Sequence, residues 1–350
     1  MIITIIFFIL IFGLIVISHE FGHFLLAKLN GIRVLEFAVG MGPTLFHFTK
    51  GETRYSLKAF PIGGACVFDG EDGVMAEDGV KDEHSFMAAS VWARISSVLA
   101  GPFFNFILAF ILALIIVGFT GSDRPVVQQV TPGGSAEKAG IQAGDLITEV
   151  NGEKIHLSRQ ISLISALNKG EDMEIEYEHA GTVKKVTVTP YYDTEAGRYY
   201  IGLSPGEYFR CNALQVFEYS FYEVEYWVRA TFKSLGMLFT GKVTKDDVAG
   251  PVGIAQIVGE TYEEVKPYGA GSVVLSMMNI AILLSVNLGI LNLLPIPALD
   301  GGRLVFLVIE AIRGKPVPPE KEGMVHLAGM VVLMLLMVFV LFNDISRLFS

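Results

Sequence analysis

Three residues near the N-terminus stand at a spacing that can do chemistry. His19 and His23 are four apart, so on a helix they share one face. Two imidazoles so placed can hold one Zn2+, and Glu20 between them can act as general base on a metal-bound water. Such a site needs water, yet everything from Met1 to Ser18 is apolar or small apart from Thr4. Ionisable residues in an apolar span are costly, and they mark function more often than helix packing.

Two histidines are not enough, because a catalytic zinc normally takes three protein ligands and keeps one position open. The best candidate for the third lies in "NLGILNLLPIPALDGGRL", Asn287 to Leu304. Asp300 is the one acid there, and it closes an apolar run. Pro295 and Pro297 interrupt a helix, and Gly301-Gly302 permit a tight turn that leads the chain back into the protein.

The elements that must position these residues are built for lipid. The 350 residues are 52% hydrophobic and only 18% charged, against about 25% charged in an ordinary soluble domain. Four apolar runs predict transmembrane helices at about 2–29, 98–119, 273–294 and 325–342. The first has no basic leader and no small-residue cleavage site, so it does not read as a signal peptide. Gly101-Pro102 in the second is a break that membrane helices tolerate when packed on neighbours. Residues 32–68 are rich in β-formers, and "TLFHF" and "TRYSLKAF" flank "TKGE" as a hairpin at or in the membrane surface.

From Gly121 the pattern is that of a soluble domain. It has short alternating strands, the turn pair Asn151-Gly152 and a helical stretch near Ser158–Leu167. Residues 213–245 are aromatic and amphipathic and suit a helix lying on or near the membrane. The organisation is therefore a first half of a membrane core (1–120), an inserted α+β domain (121–204), an interfacial helical segment (205–270) and a second half of the core (271–350).

The net charge of −10, with no Lys/Arg block, argues against nucleic acid as a partner. The acidic stretch Asp69–His84 reads as a solvated loop. Cys66 and Cys211 are too few and too far apart for a disulfide framework or a thiolate zinc site, and both are expected to be free. His47, His84, His156, His179 and His326 have no partner at ligand spacing.

Basic residues set orientation. Lys28, Arg33, Lys50, Arg54, Lys58 and Lys81 crowd the loop after the first span, and Arg303, Arg313, Lys315 and Lys321 the loop after the third. Both loops should face the cytoplasm, with the termini and the inserted domain outside. Eighteen residues of helix reach about 27 Å, which puts His19 toward the inner edge of a ~30 Å hydrocarbon core. The third span runs inward, so Asp300 arrives at the same level.

"SAEKAGIQAGDLITEVNGEKI", Ser135 to Ile155, resembles the PDZ domain of bacterial membrane and periplasmic proteases. The wider set of His19-Glu20-Phe21-Gly22-His23, Gly101-Pro102 with Asn105, and Asn292 to Gly301 ("NLLPIPALDG") resembles the site-2 protease family of intramembrane zinc proteases. The PDZ segment and "GMGPTLFHFTKGETRYSLKAFPIGG" resemble its RseP-type bacterial branch, here with a single PDZ domain. The resemblance implies an α-helical integral membrane protein of about four transmembrane helices, with a membrane-associated β-hairpin and an inserted α+β PDZ domain. It implies that His19, His23 and Asp300 bind Zn2+ and that Glu20 is the base. Asn292 would hold substrate backbone or the developing oxyanion, and Asn105 would support the site. The expected location is the bacterial cytoplasmic membrane. The expected substrates are single-span proteins, such as an anti-sigma factor or remnant signal peptides, cut after local unwinding and pairing with the hairpin around 42–60. Two other readings compete: a catalytically inactive PDZ-bearing scaffold or chaperone, and another membrane zincin such as a prenyl-protein protease. The intact His19, Glu20, His23 and Asp300 weigh against the first. The second takes a downstream Glu as third ligand and has no PDZ insertion.

Overall fold

The computed structural model describes residues 2–71, 83–194, 197–204, 206–241 and 249–348. Most of the acidic stretch Asp69–His84, and the end of the 213–245 helix expectation, lie outside the described residues. In chain order the elements begin with α1 (Ile2–Leu29), β1 (Val34–Lys50), β2 (Thr53–Phe68) and α2 (Val91–Thr120). A small α+β region follows, with β3 (Ser122–Arg124), α3 (Ser135–Lys138), β4 (Leu146–Val150), β5 (Glu153–Lys154) and α4 (Ser158–Leu167). It continues with β6 (Met173–His179), β7 (Thr182–Val188), β8 (Tyr191–Asp193), β9 (Arg198–Tyr200) and β10 (Glu207–Phe209). The last elements are α5 (Ala213–Phe239), α6 (Pro251–Val265), α7 (Ala270–Leu293), α8 (Asp300–Arg313) and α9 (Pro319–Leu348). Contacts divide the chain into two units, Met1–Leu112 with Thr231–Ser350, and Ala113–Ala230.

Among the described residues, α1, α2, α7 and α9 are the helices long and apolar enough to cross a membrane. α1 is apolar on every side until His19, as a helix surrounded by lipid and protein must be. It stops at Asn30-Gly31: Gly31 takes φ +74, which glycine alone adopts freely. Asn30 Nδ2 covers the Leu26 carbonyl at 2.8 Å and reaches Ser96 Oγ at 3.0 Å, so the cap also ties α1 to α2. Pro102 lies inside α2 without ending it. The closeness of α1 and α2 depends on Gly22, where a Cβ would run into the Ala100 carbonyl.

β1 and β2 turn at Gly51-Glu52 and form a ladder that doubles back. Residues 36–39 pair with 64–67 on one side and with 54–57 on the other, while 54–57 also pair with 46–49. Gly40 and Gly42, both at positive φ, mark the bend that allows this. The outer segment presents Leu45, Phe46, Phe48 and Leu57 to the surroundings, an apolar tip suited to lipid.

The Gly301-Gly302 pair behaves differently from its sequence reading. It makes no turn but lies in the first helical turn of α8, which Asp300 opens. The chain reverses earlier, at Leu294–Leu299, where the prolines end α7. Both glycines are needed for closeness: a Cβ on Gly301 would meet the carbonyls of Leu293 and Leu294, and one on Gly302 that of Ile296.

The second unit has a four-stranded sheet in the order β5-β4-β6-β7 over a core that includes Ile147, Val150, Ile161, Met173 and Ile175. Asn151 and Gly152, both at positive φ, make the two-residue turn between β4 and β5. β10 pairs with β3, joining the end of this region to its beginning.

Candidate metal centre

α1 carries His19, Glu20 and His23, and all three are buried. α8 supplies Asp300 from its first residue. The carboxylate Oδ2 lies 3.2 Å from His19 Nε2 and 3.4 Å from His23 Nε2, and the two Nε2 atoms are 3.2 Å apart. Three donors bound at 2.0–2.1 Å to a tetrahedral Zn2+ stand about 3.3 Å from one another, so this triangle has the size the ion requires. Asp300 Oδ2 is buried and accepts no hydrogen bond among the described residues. A buried, orphaned carboxylate oxygen facing two imidazole nitrogens fits a metal better than any protein partner present. His19, His23 and Asp300 also form the group of potential ligands that stands out among the described residues.

Burial alone would favour the neutral acid at Asp300. The facing His23 and His19 outweigh it and hold its pKa well below the ordinary carboxylate range. Cys66 is close by, but burial and the neighbouring Glu20 push its thiol well above its usual range. It stays protonated and is free, as expected.

Partners behind the candidate ligands set their direction. His23 Nδ1 meets the Ser97 carbonyl at 2.9 Å, which puts the proton on Nδ1 and leaves the Nε2 lone pair to the metal side. His19 Nδ1 meets the fully buried Asn105 amide at 3.2 Å. As drawn, Nδ2 faces the ring and Asn105 Oδ1 has no partner. Exchanging the amide O and N, which are alike in shape, lets Oδ1 accept from His19 Nδ1–H. Asn105 is in turn held by Ser285 Oγ, which donates to its backbone carbonyl at 2.8 Å. Asn292, by contrast, sits half-buried in the last turn of α7 and makes no side-chain hydrogen bond among the described residues.

Several contributors had no signature in the sequence. Gly101, read as half of a helix break, leaves room for the His23 ring: a Cβ there would overlap its Nε2 and Cε1 and stand 2.7 Å from Cδ2. Gly64 of β2 does the same for Glu20, whose Cγ would be 2.7 Å from an added Cβ. The Cys66 backbone N–H donates to the Glu20 carboxylate. α8 is fastened by a bidentate pair, Arg94 Nη1 to Glu310 Oε2 at 3.0 Å and Nη2 to Oε1, and by the ion pair of Arg303 with Glu71. The Gly-Gly in "PIGGACVF" was the one visible hint of a close approach.

The sequence model of Peptidase family M50 matches residues 7–336. The chain belongs to this family. The zinc metalloprotease RasP of Geobacillus kaustophilus is 35% identical over 424 residues, covering 99% of this chain and 98% of its own. The regulator of sigma-W protease RasP of Bacillus subtilis is 33% identical, with 99% of each chain covered. A Clostridium acetobutylicum relative is 38% identical, with 96% of each chain covered. The crystal structure of a PDZ domain from an SdrC-like protein of Listeria monocytogenes is 27% identical and covers 23% of this chain and 84% of that domain, at a TM-score of 0.21. This M50 member is a zinc metalloprotease of the intramembrane site-2 type.

Proposed function

We propose that His19, His23 and Asp300 hold the zinc ion, that Glu20 is the general base, and that the site cleaves single-span membrane proteins near the cytoplasmic edge of the bacterial cytoplasmic membrane. The observation that carries this is the donor triangle of 3.2–3.4 Å in the C-terminal part of an apolar helix, with Glu20 buried beside it. Zinc held by His19, His23 and Asp300 would supply an acidified water and polarise the scissile carbonyl. Glu20, with the Cys66 backbone N–H at its carboxylate, would be the group that accepts a proton and returns it to the leaving amine. The Ser97 carbonyl and Asn105 hold the two imidazoles in their ligating tautomers. Asn292, with its amide uncommitted among the described residues, is suited to a substrate carbonyl or the developing oxyanion.

The substrate helix must unwind before its peptide bonds are accessible. The sheet segment next to Glu20 is 64–67, which pairs with 36–39 on one side only. This favours strand addition at that edge rather than around 42–60. Residues 121–204 act as a PDZ domain outside the membrane, between core halves 1–120 and 271–350. The name of the B. subtilis relative makes it a regulator of sigma-W, so a membrane-bound regulator of a sigma factor is the first substrate to try.

The test is zinc content together with cleavage of a single-span substrate, in wild type and Glu20→Gln. The expected result is full zinc in both and cleavage only in wild type. Wild-type protein that binds zinc but cleaves nothing, or a Glu20→Gln variant that still cleaves, would overturn the reading.

A further inference from the structure

Of the four apolar helices, α9 is the least embedded: its most apolar stretch is 6% buried in the protein, against 50% for α7. Two of its residues nevertheless reach the Leu294–Leu299 turn that delivers Asp300. His326, half-buried, accepts a hydrogen bond through Nδ1 from the Ala298 N–H at 2.9 Å. Nearly one helical turn on, Gly329 is buried against Pro297, where a Cβ would be 2.6 Å from the proline carbonyl oxygen.

The turn needs such a tie. Ala298 has φ +74, a conformation L-residues adopt rarely. Pro295 and Pro297 have no N–H, and the Ile296 N–H is taken by the Leu294 carbonyl at 2.7 Å. The Leu294 and Leu299 N–H groups donate to the carbonyls of Leu291 and Ile296, which leaves the Ala298 N–H, and His326 supplies its acceptor. Nδ1 can accept only when the ring proton sits on Nε2, and Glu322 Oε1 lies 3.9 Å from that nitrogen. Two residues after Ala298 comes Asp300, whose Oδ2 stands 3.2 and 3.4 Å from the two imidazoles.

We propose that His326 is a positioning residue of the metal centre: its hydrogen bond to Ala298 fixes the left-handed turn that presents Asp300 to His19 and His23. This rests on the reading of Asp300 as a zinc ligand. His326 touches neither metal nor substrate. It works by narrowing the range of positions open to Asp300, where metal sites tolerate about 0.2 Å.

The experiment measures zinc affinity by chelator competition on the full-length protein in detergent, together with kcat and KM for a single-span substrate. His326→Phe keeps a ring and removes the acceptor. It is expected to weaken zinc binding about tenfold or more, the usual range for groups that orient ligands, and to lower kcat with little change in KM. His326→Asn keeps an acceptor in nearly the place of Nδ1 and should restore most of the loss. Ala298→Gly added to His326→Phe should recover part of it, because glycine takes positive φ freely. Wild-type zinc affinity in His326→Phe, or equal defects in the Phe and Asn variants, overturns the proposal. Asp300→Asn separates the two claims. If it keeps wild-type zinc affinity, the ligand assignment fails and the proposal with it. If it loses zinc while His326→Phe does not, only the role of His326 fails.

Discussion

Gly101→Ala sets helix propensity against packing at the metal centre. In an isolated helix the change is favourable by about 1 kcal/mol. In this structure the added Cβ would be 2.7 Å from His23 Cδ2, and nearer still to Nε2 and Cε1. Carbon atoms prefer about 3.5–4.0 Å, so the ring or α2 must move by about 1 Å. The ring cannot retreat freely, because Nδ1 is tied to the Ser97 carbonyl at 2.9 Å and Nε2 faces His19 Nε2 at 3.2 Å. Overpacking of this kind costs about 1–3 kcal/mol. If the strain falls on His23, the proposed ligand, zinc binding weakens by about 5- to 150-fold, at about 1.4 kcal/mol per factor of ten. Chelator competition gives the affinity, a single-span substrate gives the cleavage rate, and thermal unfolding in detergent reports the fold. A variant with unchanged zinc affinity and cleavage and a raised Tm would refute the reasoning, since helix propensity would then have outweighed the close approach.

Other expectations follow from contacts elsewhere in the first unit. Gly64→Ala brings a Cβ to 2.7 Å from Glu20 Cγ and 2.8 Å from Val16; it should lower kcat at least tenfold while zinc content stays near wild type, as measured by cleavage and metal analysis. Asp344, buried near the end of α9, accepts from the N–H groups of Gly250, Val252 and Gly253 at 3.1, 3.1 and 2.9 Å and so caps α6. Asp344→Ala strands these donors and should cost about 1–3 kcal/mol, seen as a lower Tm in detergent, with Asp344→Asn intermediate.

What was legible in the sequence was local or compositional. An apolar run long enough to span lipid has few alternatives, so the four long helices could be read directly. Asn30-Gly31 at the end of α1 and Asn151-Gly152 between β4 and β5 work through the φ of one or two residues, which residue type alone controls. His19 and His23 meet because four residues is one helical turn, and Asp300 could be picked as their partner because it is the one acid in Asn287–Leu304, the stretch that closes the third apolar run.

Tertiary structure decided the rest. Whether Gly101 breaks a helix or makes room for His23 depends on a helix 78 residues away in the chain, and local sequence carries no record of that neighbour. Gly301-Gly302 has the composition of a turn, but it is helical because backbone from 293–297 crosses too closely for any side chain. His326 had no partner at ligand spacing; its partner is a backbone N–H 28 residues upstream, a donor that every residue except proline carries and that no motif can announce. Period and composition determine which elements form and which face is apolar. Close approach between elements is set by which backbones end up adjacent, and here that placement turns three ligand-type residues into a triangle of zinc dimensions.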